Sequence, residues 1–251
     1  MENAIRLCIA GSAGRMGHAV AAIAEARAGV ALVTRFDREG ASEAHLAACD
    51  VIIDFSSGGA SASLAERAAT RGGPALVIGS TGFSAADEAA VRAAAASIPI
   101  VKSGNFSVGV NVLAGLVEQT ARRLGPELWD IEIHEAHHRR KVDAPSGTAL
   151  MLGEAAARGR GRPVSDLAVH DRHGITGMRT LGSIGFSVSR GGGIVGEHAV
   201  TFAAEEESLT LAHRAHDRGL FARGAVEAAV WVVGRPAGLY DMVDVLGLRN
   251  G

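Results

Sequence analysis

The stretch Gly11-Ser12-Ala13-Gly14-Arg15-Met16-Gly17 decides the fold, because it follows an aliphatic run at residues 5–10 and opens an Ala-rich segment. Its spacing, G-x-x-G-x-x-G, is a variant of the G-x-G-x-x-G turn that joins a strand to a helix in dinucleotide-binding domains. Glycines there permit a tight turn and let the backbone approach a pyrophosphate at the helix N-terminus. A glycine-rich turn can also be a packing solution, so the surrounding pattern has to decide between the two interpretations.

Short aliphatic runs alternate with helix-forming segments after this turn. The aliphatic runs are residues 5–10, 30–36, 51–55, 75–79 and 98–103, and the segments rich in Ala, Glu and Arg are residues 18–27, 61–71 and 85–96. Strands this apolar are buried on both faces, and strands that alternate with helices form a parallel sheet. The first hundred residues are therefore predicted to form a Rossmann-like, doubly wound α/β domain.

The pattern changes after residue 107. Residues 108–124 predict one long helix, and residues 128–134 alternate between apolar and polar side chains as a half-exposed strand does. Alternation returns at residues 184–188, 198–204 and 209–214, which predicts an antiparallel meander with one apolar face and no obvious covering helix.

A last helix is predicted at residues 217–233, so we expect two domains. Residues 1–106 and 216–251 are predicted to bind a dinucleotide. Residues 107–215 are predicted to bind substrate and to form the oligomer, as an α+β domain with a mainly antiparallel or mixed open sheet.

Polar residues at the ends of the predicted strands indicate where the dinucleotide binds. Asp37 lies twenty residues after Gly17, where this fold places a carboxylate for the ribose hydroxyls. Arg35 and Arg38 beside it can instead hold a 2′-phosphate, so we expect both NADH and NADPH to be used; a solvated strand end is the alternative for Asp37 and Arg38. Ligands of such sheets bind beyond the carboxyl ends of the strands. The predicted cofactor contacts are Gly11, Ser12, Ala13, Gly14, Arg15, Met16, Asp37, Arg38, Gly79, Ser80, Thr81, Ser103, Gly104, Asn105 and Phe106.

Residues 132–149 hold the densest group of reactive side chains, and they include a literal H-E-x-x-H sequence at residues 134–138. That pattern binds zinc on a helix, where positions i and i+4 share a face. Here the preceding residues alternate as a strand, on which His134 and His138 would be roughly 13 Å apart. The adjacent Arg139, Arg140 and Lys141 would repel a cation, so no metal is predicted.

An anion site that contains an acid explains the same residues better. Ser146 is a plausible cap for a helix that begins just after it, and the N-terminus of that helix beside His138 and Lys141 would hold a carboxylate. Histidine titrates near neutral pH, so His137 can serve as a proton donor. The alternative for His137 and His138 is a solvated basic loop.

The sequence from Glu135 to Ala149, E-x-H-H-x-x-K-x-D-A-P-S-G-T-A, resembles the signature of the 4-hydroxy-tetrahydrodipicolinate reductase family of lysine and diaminopimelate biosynthesis. Residues 11–17, 54–56, 79–83, 105–111, 172–177 and 195–198 are also similar to that family, in order along nearly the whole chain. Two features depart from it: the stretch at residues 38–50 is short, and Ser80 stands where Thr is usual.

The resemblance implies an enzyme that uses NADH or NADPH to reduce 4-hydroxy-2,3,4,5-tetrahydrodipicolinate to tetrahydrodipicolinate, with loss of water. It implies that His137 is a proton donor and acceptor and that Lys141 is a proton donor. It also implies a homotetramer assembled through the sheet of the second domain. The residues that would bind the substrate carboxylates are His138, Lys141, Ser146, Gly147 and Thr148.

Two other functions fit the same nucleotide domain. The chain could be a reductase or dehydrogenase of another small dicarboxylate, or a non-catalytic protein that responds to nucleotide binding. The second would need residues 11–17 and Asp37 but would have no use for His137 together with Lys141, so those two residues discriminate.

The composition excludes several other classes. The 251 residues are 47% hydrophobic and 21% charged, as in a globular protein, and a net charge of −2 with 4% aromatic residues supplies no nucleic-acid-binding surface. No apolar run approaches the ~18–20 residues of a membrane span. Because the start of the chain lacks the features of a signal peptide and Cys8 and Cys49 are predicted to be buried free thiols, we expect a cytoplasmic location.

Overall fold

A computed structural model describes residues 4–37 and 42–248. The chain divides into two compact units, one formed by Met1–Val108 with Gly219–Gly251 and the other by Gly109–Arg218. The sheet of each unit packs against its own hydrophobic core. The roles given above to the two domains stay predictions.

The strands and helices are numbered in chain order. The strands are β1 (Ile5–Ala10), β2 (Val30–Phe36), β3 (Val51–Asp54), β4 (Ala75–Ile78), β5 (Pro99–Lys102), β6 (Asp130–His137), β7 (Ala168–Val169), β8 (Ile184–Arg190), β9 (Gly196–Ala203), β10 (Ser208–Ala215) and β11 (Gly238–Tyr240). The helices are α1 (Arg15–Ala26), α2 (Glu43–Ala48), α3 (Gly58–Arg71), α4 (Ala85–Ala94), α5 (Val108–Arg123), α6 (Gly147–Gly159), α7 (Gly219–Val232) and α8 (Met242–Val245).

The first unit contains a six-stranded parallel sheet in the order β2-β1-β3-β4-β5-β11. Helices α1 and α7 pack on one face, and α2, α3 and α4 pack on the other. Every residue of β3 and β4 is buried, as predicted for their apolar residues, and Asp54 at the end of β3 is buried with them. The Rossmann-like doubly wound fold is therefore confirmed. The strand order reverses between β1 and β3, and ligands of such sheets bind beside that reversal at the carboxyl ends of the strands.

Three elements of the first unit were not predicted: α2, β11 and α8. They are six, three and four residues long, which is too short for a helical or alternating pattern to become visible. Helix α2 depends on a local capping box in which Ser42 and His45 satisfy each other's backbone N–H groups.

The second unit contains a five-stranded mixed sheet in the order β10-β9-β6-β8-β7. The predicted meander is wrong in its pairing, because β6 lies between β8 and β9, parallel to the first and antiparallel to the second. Strands β9 and β10 do form an antiparallel hairpin. Alternation within a segment sets which side chains share a face, but it does not select the partner strand.

The prediction of an uncovered apolar face is also wrong. The apolar face of this sheet, with Ile131, Ile133 and Phe202, packs against α5 and α6 and is fully buried. The opposite face carries polar and small side chains such as His134 and Thr201. Within the part of the chain that the structure describes, no helix is long and apolar enough to cross a bilayer.

We predict that Gly224→Ala destabilises the first unit. A Cβ atom on Gly224 in α7 would lie 1.7 Å from the carbonyl oxygen of Phe106, and backbone cannot yield as a flexible side chain can. The expected cost is about 2–3 kcal/mol, which lowers the melting temperature by about 5–10 °C. The matched control is Gly115→Ala in α5, where a Cβ would meet no atom within 4 Å; it should keep or slightly raise the melting temperature. Equal effects of the two changes in thermal melts would contradict the packing argument.

Candidate functional site

Two glycines give the turn after β1 its shape. Gly11 has a φ of +73°, and a Cβ there would lie 2.9 Å from the carbonyl carbon of Phe55. On Gly17 a Cβ would lie 2.4 Å from the carbonyl oxygen of Gly11, because α1 packs directly on the turn. Gly14 is the N-cap of α1 and has no side chain to cover the helix N-terminus. The resulting backbone cradle fits the pyrophosphate of a dinucleotide.

Asp37, at the carboxyl end of β2, orders this turn. The Ser12 hydroxyl donates to Asp37 Oδ2 at 2.6 Å, and the Ala13 N–H donates to Oδ1 at 3.0 Å. Arg15 is exposed on the first turn of α1, whereas Met16 packs against the core. Arg38, predicted to hold a 2′-phosphate, lies outside the described residues.

The loop after β4 is tied to the end of β3 by a buried chain of hydrogen bonds. Ser61 Oγ donates to Asp54 Oδ2 at 2.6 Å, so the Ser80 hydroxyl, 2.5 Å away, is the donor to Ser61. Gly79 must lack a side chain because a Cβ would lie 2.2 Å from the Phe55 ring. The Ser80 hydroxyl is therefore used in a hydrogen bond inside the protein, while Thr81 beside it is exposed.

The loop after β5 is also held by its own polar groups. The Ser103 hydroxyl donates to the Asn105 carbonyl at 2.8 Å, and Asn105 Oδ1 accepts from the Ser107 N–H at 2.8 Å. Gly104 is exposed, but the Phe106 ring is buried against Phe55 at 5.8 Å between centroids. Any contact of Phe106 with a ligand would come from its backbone.

A cavity of about 170 Å³ opens where β1, β2 and β3 end. Gly11 and Asp37, which the sequence singled out, line it together with Leu64 and Arg67 on α3, which it did not. Residues 64 and 67 are three apart, so they share a helix face. The sequence predicted that helix but gave no sign of which face would point to the end of the sheet.

In the second unit, His137 ends β6 with its side chain largely buried, at 11% exposure, so it is not part of a solvated loop. His137 Nδ1 lies 2.6 Å from Oε2 of Glu135, whose own side chain is fully buried. Burial alone would raise the pKa of Glu135, but hydrogen bonds from Arg190, His137 and the Ser146 N–H outweigh it and hold that pKa below its ordinary value. The site thus holds a buried carboxylate against the imidazole.

Ser146 is the N-cap of α6, as predicted. Its hydroxyl accepts from the Ala149 N–H at 3.2 Å and lies 3.0 Å from Nε2 of His198, and its side chain is almost wholly buried. The His198 ring packs edge-on against the His137 ring at 5.1 Å. Burial, and next the charge of His137, lower the pKa of His198 to about 4, so His198 is neutral at physiological pH.

His198 was not singled out from the sequence for a chemical role, although it lies in one of the segments that resemble the family. Its inward position on β9 matches those of the apolar Val200 and Phe202. A buried histidine in such a run is the signal that could have marked it, because a polar ring there needs a partner.

Lys141 Nζ lies 2.8 Å from Asp143 Oδ2, and this hydrogen bond is the main cause that lowers the pKa of Asp143. Lys141 and Lys102 are the only lysines among the 25 Lys and Arg residues of the sequence. Arginine keeps its proton under all ordinary conditions, whereas a lysine can release one. The chain therefore has lysine at position 141 although it uses arginine almost everywhere else.

His138 follows β6 and faces arginine. Its Nε2 lies 2.9 Å from an Arg218 guanidinium nitrogen and accepts that hydrogen bond. Burial, followed by the charges of Arg140 and Arg218, lowers the pKa of His138. The neutral ring is thereby favoured, with its proton on Nδ1.

The H-E-x-x-H sequence does not lie on a helix. Strand β6 continues through His137, and His134 Nδ1 lies 3.0 Å from the Ser187 hydroxyl on the opposite face from His137. Within residues 4–37 and 42–248, no three His, Cys, Asp or Glu residues are grouped so that they could hold a metal ion. That the protein needs no metal stays a prediction.

Comparisons with known proteins cover the whole chain. Models of the N-terminal and C-terminal parts of dihydrodipicolinate reductase match residues 5–106 and 109–246. A 4-hydroxy-tetrahydrodipicolinate reductase of Caulobacter vibrioides is 58% identical, over 100% of both chains. One of Rhizobium rhizogenes is 47% identical, over 99% of each. A dipicolinate-bound dihydrodipicolinate reductase from Paenisporosarcina sp. TG-14 has the same fold, with a TM-score of 0.78, 22% identity, and coverage of 96% of this chain and 98% of that one.

We predict that His198 makes the protein less stable in acid. Its pKa of about 4 in the folded protein lies below the ordinary 6.5, so between these values the unfolded chain binds a proton that the folded one rejects. The contribution of His198 to the free energy of unfolding is complete above pH 6.5. It falls by about 3 kcal/mol in total as the pH falls to 4. In urea unfolding, the free energy of unfolding of His198→Asn should depend less steeply on pH over this range. An unaltered slope in the His198 variant would contradict the prediction.

Proposed function

The chain belongs to the dihydrodipicolinate reductase family, and from that premise we propose how its residues act in the reaction. The protein is an NAD(P)H-dependent oxidoreductase that reduces 4-hydroxy-tetrahydrodipicolinate to tetrahydrodipicolinate with loss of water, in lysine and diaminopimelate biosynthesis. The observation that carries this function is 58% identity to a curated reductase over the full length of both chains.

In our proposal the first unit binds the cofactor at the carboxyl ends of its strands. The turn at residues 11–17 cradles the pyrophosphate, and Asp37 binds the ribose hydroxyls of NADH. Arg38 holds the 2′-phosphate of NADPH, so both cofactors are used. The cavity beside Asp37 takes the adenosine end, and the loops at residues 79–81 and 103–106 hold the nicotinamide end. The fit of Gly11 and Gly17 to a backbone cradle supports this assignment.

The substrate carries two carboxylates, and the second unit offers positive groups for them. The N-terminus of α6, with the backbone of Gly147 and Thr148, binds one carboxylate together with Lys141 and His138. Ser146 contributes by capping that helix. Its hydroxyl is already hydrogen-bonded to the Ala149 N–H and to His198, and its N–H donates to Glu135. This division of roles follows from the nearly complete burial of the Ser146 side chain.

The net reaction takes up one hydride and one proton as the hydroxyl group leaves as water. Loss of water releases one proton from a ring carbon and consumes one at the departing hydroxyl, and the ring that accepts the hydride takes up another. The bound nicotinamide supplies the hydride. His137 and Lys141 supply protons on the substrate side, because a ring that accepts hydride gains negative charge that an acid must neutralise. No metal takes part in this proposal.

We further propose a homotetramer in the cytoplasm, assembled through the open face of the second sheet. The side chains of Ser187, Thr201 and Thr210 on that face are small, which supports the assignment because a second copy can approach the sheet there. Light scattering of the purified protein tests the proposal, and a monomer mass at working concentration would refute it.

The function is tested by NADH and NADPH oxidation at 340 nm, with the substrate made in situ by the preceding condensing enzyme from pyruvate and aspartate semialdehyde. Oxidation that depends on the condensing enzyme, with either cofactor and in the presence of EDTA, is the expected result. If oxidation is absent although cofactor binds, another dicarboxylate or a binding role would replace this proposal.

We predict that His137→Gln and Lys141→Ala each lower kcat by about 10²–10⁴-fold, because each removes a proton donor. Cofactor affinity should stay within about twofold of wild type, since both residues belong to the substrate side. Steady-state rates and fluorescence titration with NADH measure the two quantities. Near wild-type turnover in either variant would remove that residue from the acid role.

A further inference from the structure

Glu135 is a fully buried charge in contact with the proposed acid, and none of the roles above accounts for it. We propose that Glu135 is a positioning residue that fixes the orientation and tautomer of His137, so that the proton leaves from Nε2. This inference rests on the proposed role of His137. The structural basis is the contact of 2.6 Å between His137 Nδ1 and Glu135 Oε2.

The Glu135 carboxylate is held so that it cannot turn. Oε1 accepts from the Ser146 N–H at 2.9 Å and from Arg190 at 2.8 Å. Oε2 accepts from Arg190 at 2.8 Å and from His137. A carboxylate offers about four acceptor positions, so all of them are used, and a bidentate arginine fixes the plane of the group.

The fixed carboxylate decides which nitrogen of His137 can exchange a proton. Nδ1 carries hydrogen toward Glu135 in both the neutral and the charged ring, so Nε2 is the nitrogen whose proton comes and goes. A Cβ on Gly196 would lie 3.1 Å from this Nε2. Glycine at position 196 therefore keeps the space beside the reactive nitrogen clear.

The other groups around the ring do not substitute for this negative charge. His198 packs against the ring but is neutral at working pH, and the Arg190 guanidinium is bound to Glu135 itself. His138 and Lys141, which follow in the chain, are basic, and the Asp143 carboxylate is paired with Lys141. Glu135 thus supplies the negative charge that touches the imidazole, and an opposite charge at hydrogen-bond distance favours the charged form.

A purely structural role is the competing explanation, because a buried ion pair can be replaced by neutral side chains with little loss of stability. The two explanations differ in what they predict for acid chemistry. An ion pair that only stabilises the fold would affect unfolding but not the pH dependence of the reaction. A positioning residue would change the pH dependence even in a variant that folds normally.

The test is Glu135→Gln, which keeps the size of the side chain and removes its charge. We expect kcat to fall by about 10²-fold while the KM for NADH changes less than about twofold. The pH profile of kcat/KM should also differ from that of the wild type, because the side chain that touches the imidazole has lost its charge. Wild-type kcat together with an unmoved profile would overturn the inference.

Two further variants separate positioning from stability. Glu118→Gln removes another carboxylate that binds two arginines in the same unit, on α5, and should leave both the rate and the profile as in wild type. Glu135→Gln/Arg190→Met removes the buried carboxylate and its half-buried arginine partner, so it should recover a melting temperature that the single change lowers. If the double variant also recovers kcat and the wild-type profile, Glu135 has a structural role only.

A measurement without turnover distinguishes this inference from the proposed function. In ¹H–¹⁵N spectra of the wild-type protein without substrate, His137 should give a downfield Nδ1–H signal that Glu135→Gln moves upfield or abolishes. If the wild type does not oxidise cofactor but shows this signal and its loss, the function fails and the positioning by Glu135 stands. If the wild type turns over but the spectra place the proton on Nε2 alone, the positioning fails and the function stands.

Discussion

The Glu135 carboxylate is charged inside the second unit, and this charge constrains the elements that surround it. A carboxylate removed from water is tolerated only if donors replace its hydration, and three different elements provide them. Strand β6 supplies His137, strand β8 supplies Arg190, and the start of α6 supplies the Ser146 N–H. The same contacts orient the imidazole and set where α6 begins, so the proposed acid and the proposed anion-binding helix terminus are positioned by one interaction.

Much of this arrangement could be predicted where the signal is local. The glycines of residues 11–17, the apolar strands of the first unit and the cap at Ser146 each follow from rules that act over a few residues, and the structure has them at the predicted places. Asp37 could be predicted to stand at the end of β2 for the same reason. That its carboxylate would bind Ser12 and Ala13 depends on how the loop folds back, which spacing alone does not define.

What the sequence could not reveal depends on contacts between distant segments. The pairing of β6 with both β8 and β9 joins segments about fifty or more residues apart, and no local pattern selects such partners. For the same reason the sequence suggested an uncovered face where α5 and α6 in fact pack. His198 and Arg190 reach Ser146 and Glu135 only through this pairing, so their roles became visible with the sheet.

The division of the first unit into two chain segments has a consequence for synthesis. Helix α7 fills the same core as α1, and β11 pairs with β5 to complete the sheet, yet both follow the entire second unit in the sequence. On the ribosome, the core on the α1 face must wait for more than one hundred further residues before α7 can complete it, whereas the core on the opposite face needs no residue after Ile100. The second unit is complete in a single continuous stretch and can fold during that interval, whereas a nascent chain released before α7 would leave the face of the first sheet that α1 shares with α7 only partly covered.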